Sequence, residues 1–220
     1  MELVAGAAAG ISQVIFGHPF DTVKVLLQNG SSWKSLSMAE YYRGFKYPLC
    51  SSVIFNMVTF TIYHKTIEMT KSSIISGALS GVVISPILFC FDVGKIKRQT
   101  NQKFKFTDIV KTRGLYMTFL RETFAMSIYF GSYNFFKKKT NSIIAGGLAG
   151  LCNWTLTYPF DIIRSRQIAQ NISIANAIAQ KKLWKGYSAC IIRAVIVNAT
   201  CFYTYEKTYA KLKYLKNDPI

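Results

Sequence analysis

The stretch PFDTVK at positions 19–24 recurs as CFDVGK at 90–95 and as PFDIIR at 159–164. Each copy places an aspartate three residues before a base, so that both side chains lie on one side of a helical turn. A G-x-x-x-G pattern precedes each copy, and its first glycine stands 15 residues before the aspartate. Three occurrences in one register indicate a triplicated unit, which determines architecture more firmly than local propensities do.

A second element follows each copy of the first. In the outer repeats it is an aromatic residue, a base and a glycine, at 42–44 and 184–186. The middle repeat has Gly114-Leu115-Tyr116 instead, and it has Cys90 where the outer repeats have Pro19 and Pro159, which we expect to kink their helices. The second repeat is therefore degenerate. We divide a single domain, residues 1–220, into three repeats of approximately 1–70, 71–140 and 141–220.

Six apolar stretches run through the chain, two in each repeat. Each is long enough to cross the roughly 30 Å hydrocarbon layer of a membrane. The sequence therefore predicts an all-α membrane protein with six transmembrane helices, arranged with pseudo-threefold symmetry around a central cavity. We expect the G-x-x-x-G faces to let neighbouring helices approach closely. The stretches cover approximately residues 3–28, 47–67, 73–99, 115–136, 141–167 and 187–210.

The composition agrees with helices that face lipid on one side and water on the other. Of the 220 residues 50% are apolar and only 17% are charged, with a mean hydropathy of +0.21, which excludes a disordered chain. The net charge is +17, and lysine and arginine concentrate in segments 28–47, 95–113 and 164–185. We expect these segments to face the compartment that retains cations, with both termini opposite.

The repeated acids and bases fall at the same end of helices one, three and five. Around a central axis they would form a ring in which the acid of one repeat pairs with the base of another. The net stabilisation from such ion pairs is small, because the cost of desolvating the charges offsets their attraction. A gate needs closed and open states of similar free energy, so that a ligand can shift the equilibrium between them. We predict the pairs Asp21 with Lys95, Asp92 with Arg164, and Asp161 with Lys24. Gln28 and Gln99 follow their aspartates by seven residues, and we predict that they brace the pairs by hydrogen bonds.

PFDTVKVLLQ at 19–28, PFDIIRSR at 159–166 and the weaker CFDVGKIKRQ at 90–99 resemble the signature of the mitochondrial carrier family. The resemblance covers almost the whole chain. It implies a six-helix barrel that moves small metabolites by alternating access, with the charged ring closing the matrix side. It also implies a location in the mitochondrial inner membrane, or in the membrane of a related organelle.

The chain departs from the family pattern in its loops and in its second gate. Its repeats are shorter between the two repeated elements, so we expect truncated helices on the matrix side. The second gate of the family, an aromatic-acid-x-x-base pattern, retains only one acid and one base here, which predicts weak closure of the cytoplasmic side. The corresponding segments are Tyr63-His64-x-x-Ile67, Tyr133-Asn134-x-x-Lys137 and Tyr205-Glu206-x-x-Tyr209.

The second repeated element also predicts lipid sites. The resemblance implies that cardiolipin binds at helix starts of this type, where backbone N–H groups and the helix dipole favour phosphate. The residues concerned are Arg43 and Gly44 in the first repeat and Lys185 and Gly186 in the third. Since the middle repeat lacks the base, two lipid sites are better supported than three.

Counting seven residues onward from Gly44, Gly114 and Gly186 gives Ser51, Arg121 and Arg193. The resemblance implies that these lie near mid-membrane and contact the substrate. Two guanidinium groups suit a carboxylate or a phosphate, so we expect a small anionic or zwitterionic substrate. Glu122 follows Arg121, and this pair resembles carriers of amino acids, acylcarnitines or keto acids. The high positive charge leaves a carrier of nucleotides, of ATP or deoxynucleotide type, as the alternative.

Other classes of protein fit the sequence less well. The bases lie between apolar spans rather than on one soluble face, so a nucleic-acid polymer is not expected as a partner. No nucleophile elbow, phosphate loop or dinucleotide fingerprint is present in the sequence, so we expect no enzyme. The five cysteines form no C-x-x-C pattern, and we expect no metal or other cofactor. We expect a monomer. A carrier fold retained for leak or for a structural role is a further alternative.

Overall fold

The structure is a computed structural model that describes residues 2–34 and 36–217, with some side chains within helices left undescribed. Within these residues the chain is helical and forms six long helices joined by loops and three short helices. The long helices are α1 (Glu2–Gln28), α3 (Lys46–Thr70), α4 (Ser73–Gln99), α6 (Leu115–Lys137), α7 (Ser142–Gln170) and α9 (Tyr187–Asn217), and the short ones are α2 (Met38–Tyr41), α5 (Thr107–Lys111) and α8 (Ile174–Ala179).

The long helices coincide with the predicted apolar stretches. The largest difference is at the end of α9, which continues to Asn217 instead of ending near residue 210. Pro19 and Pro159 lie inside α1 and α7, and Pro86 lies inside α4, and each of these helices is continuous. Each proline removes one backbone hydrogen bond from its helix, which favours a bend at that point. The kinks predicted at Pro19 and Pro159 stay predictions.

Hydropathy alone singles out one of these helices. Among the described residues, α4 is the helix that is both long enough and apolar enough to cross a membrane by those two criteria.

Each short helix lies between the two long helices of one repeat: α2 lies between α1 and α3, α5 between α4 and α6, and α8 between α7 and α9. They have 4, 5 and 6 residues, which agrees with the predicted truncation. In α5 the carboxylate of Asp108 accepts a hydrogen bond from the backbone N–H of Lys105 at 2.9 Å. The same carboxylate forms an ion pair with the ammonium group of Lys97 at 3.3 Å. The N–H group lowers the pKa of Asp108 because it stabilises the charged form.

The G-x-x-x-G face packs closely against a neighbouring helix in the second repeat but not in the third. A methyl group on Gly77 or Gly81 would collide with the backbone carbonyls of Met126 or Glu122, so α4 and α6 approach as closely as predicted. Gly146 and Gly150 in α7 have no neighbouring atom within 4 Å of the Cβ position, which contradicts the prediction for the third repeat. The helix α7 packs mainly on α6 and meets α9 only near the start of α9, through the cluster of Tyr158, Ile162 and Cys190 among the described residues. Gly6 and Gly10 fall outside the residues whose packing is described.

Adding one methyl group at these glycines should have opposite effects. We expect Gly81→Ala to destabilise the protein by about 1–3 kcal/mol, because backbone must move to make room. We expect Gly150→Ala to be neutral or to stabilise it by up to about 1 kcal/mol, because alanine favours the helix and meets open space. Thermal unfolding in mild detergent measures both. Equal melting temperatures would show that α4 and α6 are not in close contact.

Candidate functional site

The repeated acids and bases meet at one end of the bundle, which we call the gate end. All three predicted pairs are present: Asp21 with Lys95 at 2.9 Å, Asp92 with Arg164 at 2.7 Å, and Asp161 with Lys24 at 2.7 Å. Each pair joins two different repeats. We call these six side chains the gate cluster. Two unit charges attract by about 4 kcal/mol at a separation of about 4 Å and an effective dielectric constant of 20, and by more at these shorter distances, and the cost of desolvation must be set against this attraction.

The second repeated element holds the gate helices in place. Gly44 and Gly186 have positive φ angles of 79° and 87°. A Cβ at Gly44 would lie 3.2 Å from the carbonyl oxygen of Lys95, and one at Gly186 would lie 3.3 Å from that of Lys24. The glycine of one repeat therefore packs against the backbone of a gate base from another repeat.

The residues before the two repeated prolines also have equivalent contacts. The Nε2 atom of His18 lies 3.0 Å from the carbonyl oxygen of Arg43, and the hydroxyl of Tyr158 donates to the carbonyl of Lys185 at 3.1 Å. Each side chain thus ties an odd helix to the second element of its own repeat. His18 in the first repeat therefore has the same packing role as Tyr158 in the third.

The two predicted braces have different outcomes. The amide of Gln28 donates to Oδ2 of Asp161 at 2.9 Å and so supports the Asp161–Lys24 pair, as predicted. The amide of Gln99 donates to the hydroxyl of Thr22 at 3.0 Å, so the prediction that Gln99 braces an ion pair is wrong. Thr22 follows Asp21 in α1, and its buried hydroxyl accepts the hydrogen bond of the Gln99 amide in place of the Asp21 carboxylate.

Arg121, Glu122 and Arg193 lie closer to the gate cluster than predicted. Arg193 contacts Asp21 at 2.7 Å, Glu122 accepts from Arg164 at 3.1 Å, and Arg121 lies 3.8 Å from Asp161 while it also pairs with Glu122. Their charged ends therefore lie beside the gate cluster, and the predicted role of Arg121, Glu122 and Arg193 in contacting substrate stays a prediction. Each of the three side chains contacts a different pair of the cluster.

Helix direction explains this displacement. Side chains on a helix lean toward its N-terminus. Both α6 and α9 begin at the gate end, so the long side chains of Arg121 and Arg193 extend back toward the ring. Counting residues along the chain placed their Cα atoms but did not place their charged ends.

Ser51 does not join this group. Among the described residues its hydroxyl bonds only to the carbonyl of Pro48, one turn earlier, at 3.5 Å. Serine in a helix interior commonly bonds to its own helix in this way. The prediction that Ser51 lies with Arg121 and Arg193 is therefore not supported by any contact between them in the described part of the chain.

Trp154 is a member of the site that the sequence analysis missed. Its ring lies under two cations, with Nζ of Lys24 at 4.4 Å and Cζ of Arg121 at 5.3 Å from a ring centroid. Cation–π attraction of this kind adds about 0.5–2 kcal/mol to a partly desolvated pair. Trp154 stands seven residues before Asp161, two helical turns away on the same face, and that spacing could have revealed it.

Free space is distributed unequally along the bundle. The gate cluster encloses only about 40 Å³. Further from the gate end, a cavity of about 490 Å³ is bounded by Tyr129, Trp154, Arg193 and the open glycine face of α7. The space within the gate cluster is therefore small, and the larger cavity lies beside Arg193, one of the residues that we expect to contact substrate.

At the opposite end, aromatic contacts replace the missing charges. The rings of Tyr63 and Phe130 stack with centroids 3.8 Å apart, and Lys137 lies 5.4 Å from the ring of Tyr133. Asn134 donates to Ser73. The described side chains thus show no acid–base pair across this end, while the side chains of Tyr205, Glu206 and Tyr209 fall outside those described.

The family model for "Mitochondrial carrier protein" matches residues 1–73 and 138–216, which correspond approximately to the first and third repeats. The chain belongs to the mitochondrial carrier family. It is accordingly a transport protein of the mitochondrial inner membrane.

Individual carriers match over most of their length at low identity. The mitochondrial arginine transporter of Arabidopsis thaliana is 27% identical over 264 positions, covering 93% of this chain and 89% of the relative. The human mitochondrial basic amino acids transporter is 25% identical, covering 96% and 91%. Solute carrier family 25 member 45 of Mus musculus is 25% identical, covering 93% and 96%. Because these alignments are longer than the 220-residue chain, the relatives contain segments that this carrier lacks.

Proposed function

We propose that this carrier exchanges an amino acid across the inner membrane by alternating access, with its six long helices spanning the bilayer in three pseudo-threefold repeats. Arginine is the first candidate substrate. The observation that carries the proposal is the contact of Arg121, Glu122 and Arg193 with the gate cluster, because these three side chains offer ligands of both signs and Arg193 borders the cavity of about 490 Å³.

The charge of the site supports a substrate with a carboxylate. With these three side chains included, the group holds five cations and four carboxylates, so it has an excess of one positive charge. A substrate carboxylate would pair with the guanidinium fork of Arg121 or Arg193. Glu122 is fully buried and would accept an ammonium or guanidinium group.

The similarity to carriers of known substrate points in the same direction. Two of the relatives described above are named for arginine and for basic amino acids. A nucleotide would place three or four negative charges beside Asp21, Asp161 and Glu122, which is unfavourable unless further cations compensate them. We therefore favour the amino acid over the nucleotide.

Exchange in liposomes tests the proposal. The full chain, reconstituted with internal L-arginine, should take up labelled external L-arginine, and uptake should be lost in liposomes without internal substrate. Liposomes loaded with ATP and with 2-oxoglutarate serve as the comparison. Exchange of ATP alone would replace the amino acid by the nucleotide, and leak of arginine without internal substrate would support uniport.

We also propose that phospholipid phosphates bind at Arg43 with Gly44 and at Lys185 with Gly186. A groove of about 900 Å³ runs beside the first of these and is lined by three bases, Arg43, Lys46 and Arg98. Arg43 donates to Asn101 at 2.8 Å, so the groove joins the first repeat to the second. An anionic lipid there would tie two repeats together.

Removing a base from the groove should weaken the effect of lipid. We expect cardiolipin to raise the melting temperature of the purified carrier, and Arg43→Ala to reduce that rise by about half, because one of the two proposed sites loses a charge-assisted hydrogen bond. Lys34→Ala, on the loop that precedes α2, is the matched control. Equal stabilisation of all three proteins would argue against a lipid site at Arg43.

A further inference from the structure

A groove of about 370 Å³ runs along α6 and α7, from the middle of these helices toward the loop that joins them. Ser127, Gly131 and Phe135 of α6 line one side, and Cys152 and Leu156 of α7 line the other. The first turn of α4 closes the end near the loop. We call this space the outer groove. It contains no residue of the gate cluster and none of the lipid sites proposed at Arg43 and Lys185.

The outer groove faces away from the interior of the bundle. Two residues along a helix correspond to a rotation of about 200°, so residues two apart point to nearly opposite sides. Tyr129 of α6 and Trp154 of α7 border the interior cavity. Each stands midway between two residues of the outer groove, at 127 and 131 in α6 and at 152 and 156 in α7. If α6 and α7 span the bilayer as proposed, the groove therefore faces lipid.

The surface of the outer groove is mostly apolar. The hydroxyl of Ser127 donates to the carbonyl of Thr123 at 2.8 Å, within its own helix, so it has a partner without any ligand. A Cβ at Gly131 would lie 3.0 Å from Cγ1 of Ile74, so α4 packs closely against the floor of the groove. More than half of Phe135 and of Leu156 is exposed. Such a surface suits a hydrocarbon chain rather than a polar solute.

Positive charge lies next to one end of the outer groove. The segment 136–141 reads FKKKTN and contains three lysines and no acid. Nζ of Lys139 lies 4.6 Å from the centroid of the Phe135 ring, which lines the groove. Lys138 is exposed beside it. An apolar groove that ends at two exposed lysines matches a molecule with a hydrocarbon chain and an anionic head.

We infer that the outer groove holds one acyl chain of an anionic phospholipid, with the lipid phosphate against Lys138 and Lys139. The inference rests on the proposed membrane-spanning arrangement and is independent of the substrate. Each lysine near a membrane surface raises the affinity for an anionic lipid by about fivefold. The lipid contacts α4, α6 and α7, so it joins the second repeat to the third at the end opposite the gate end.

A second copy of the chain fits the outer groove less well than lipid does. Copies inserted in one membrane have the same orientation, so a symmetric dimer through this face would place the two runs Lys137–Lys139 at the same level. Like charges brought together in this way repel each other, whereas a phosphate group attracts them. The charge beside the groove therefore favours lipid as its occupant.

Quenching of a tryptophan placed in the outer groove measures which lipid occupies it. Leu156→Trp puts this reporter on the groove wall, and Val83→Trp is the control. Val83 is exposed, does not line the groove, and stands nine residues before Asp92, on the opposite side of α4 from the gate cluster.

The full chain is reconstituted in phosphatidylcholine with a minor fraction of a lipid whose acyl chains carry bromine, which quenches tryptophan on contact. The brominated lipid is either phosphatidylglycerol, which is anionic, or phosphatidylcholine, which is zwitterionic. The signal of the native tryptophans is subtracted by means of the unsubstituted chain. The ratio of the two apparent affinities gives the preference for anionic lipid at each reporter.

The preference should be local and should depend on the lysines. We expect it to be about fivefold or more at Leu156→Trp and no more than about twofold at Val83→Trp. Replacing both Lys138 and Lys139 by glutamine should lower the preference at Leu156→Trp to about twofold or less. Lys65→Gln, at an exposed position near the same end of the bundle, is the matched control and should leave the preference unchanged.

Ser127→Leu separates a groove site from general attraction to the lysines. It fills the groove and keeps the lysines, so the preference at Leu156→Trp should again fall to about twofold or less. Full preference in Ser127→Leu, or equal preference at the two reporters, would overturn the inference. Quenching at Val83→Trp but not at Leu156→Trp would also overturn it, because protein would then cover the groove. Absence of quenching at both reporters would refute the membrane-spanning arrangement, and the inference with it.

Discussion

Arg193→Ala is expected to reduce exchange by about 100-fold or more while the protein remains folded. Arg193 is the more accessible of the two guanidinium groups, with 27% of its side chain exposed against 12% for Arg121. It borders the 490 Å³ cavity and is the first cation that a substrate carboxylate would meet. Loss of a hydrogen-bonded charge partner typically costs 2–5 kcal/mol of binding, which corresponds to a factor of about 30 to several thousand.

Two measurements separate lost binding from lost structure. The melting temperature of Arg193→Ala in detergent should stay within about 5 °C of the parent, because Asp21 keeps its ion pair with Lys95. Arg193→Lys should recover part of the exchange, because it restores the charge without the bidentate fork. Unchanged exchange in Arg193→Ala would remove Arg193 from the substrate site.

The helices and the three ion pairs could be predicted because the sequence repeats. Three copies of one acid–base pattern leave only two cyclic ways to pair each acid with a base of another repeat, and the observed pairs Asp21–Lys95, Asp92–Arg164 and Asp161–Lys24 are one of the two. The apolar stretches predicted the helix starts closely, since each begins at a loop rich in charge or glycine. The helices α3 and α7 end three residues beyond their predicted limits and α9 ends seven residues beyond, because their last turns are polar.

The side-chain contacts could not be predicted in the same way. Spacing along a helix fixes which face a residue occupies, but the reach of Arg121 and Arg193 depends on helix direction and on the tilt of neighbouring helices. Gln99 could equally have reached an ion pair, and the hydroxyl of Thr22 was the closer partner. Gly146 and Gly150 have the sequence of a packing face, yet the structure leaves that face open to a cavity.

Reversing the Asp92–Arg164 pair should give the second large effect. We expect Asp92→Lys and Arg164→Asp each to reduce exchange by about 100-fold, because each puts two like charges together in a closed site. The double variant should retain more activity than either single variant, since the pair is restored with opposite polarity. Exchange rates in liposomes measure all three, and equal loss in the three variants would argue that the two residues do not interact.

Glu122 sets a limit on how far that reversal can succeed. In the double variant the new carboxylate at position 164 would face Glu122, whose Oε1 lies 3.1 Å from the guanidinium of Arg164. The reversed pair therefore keeps one repulsive contact, and we expect only partial recovery of exchange.

Ser165 is buried and lines the small space within the gate cluster, so a cysteine at this position reports gate opening by its rate of reaction with a soluble maleimide. In the Ser165→Cys background, this modification should show that the gate of the double variant opens more readily than that of the parent. Adding Glu122→Gln to the double variant removes the repulsion, so it should slow that modification, even though the site has lost the carboxylate that binds the substrate cation. If the added substitution instead speeds the modification, Glu122 is not in contact with position 164.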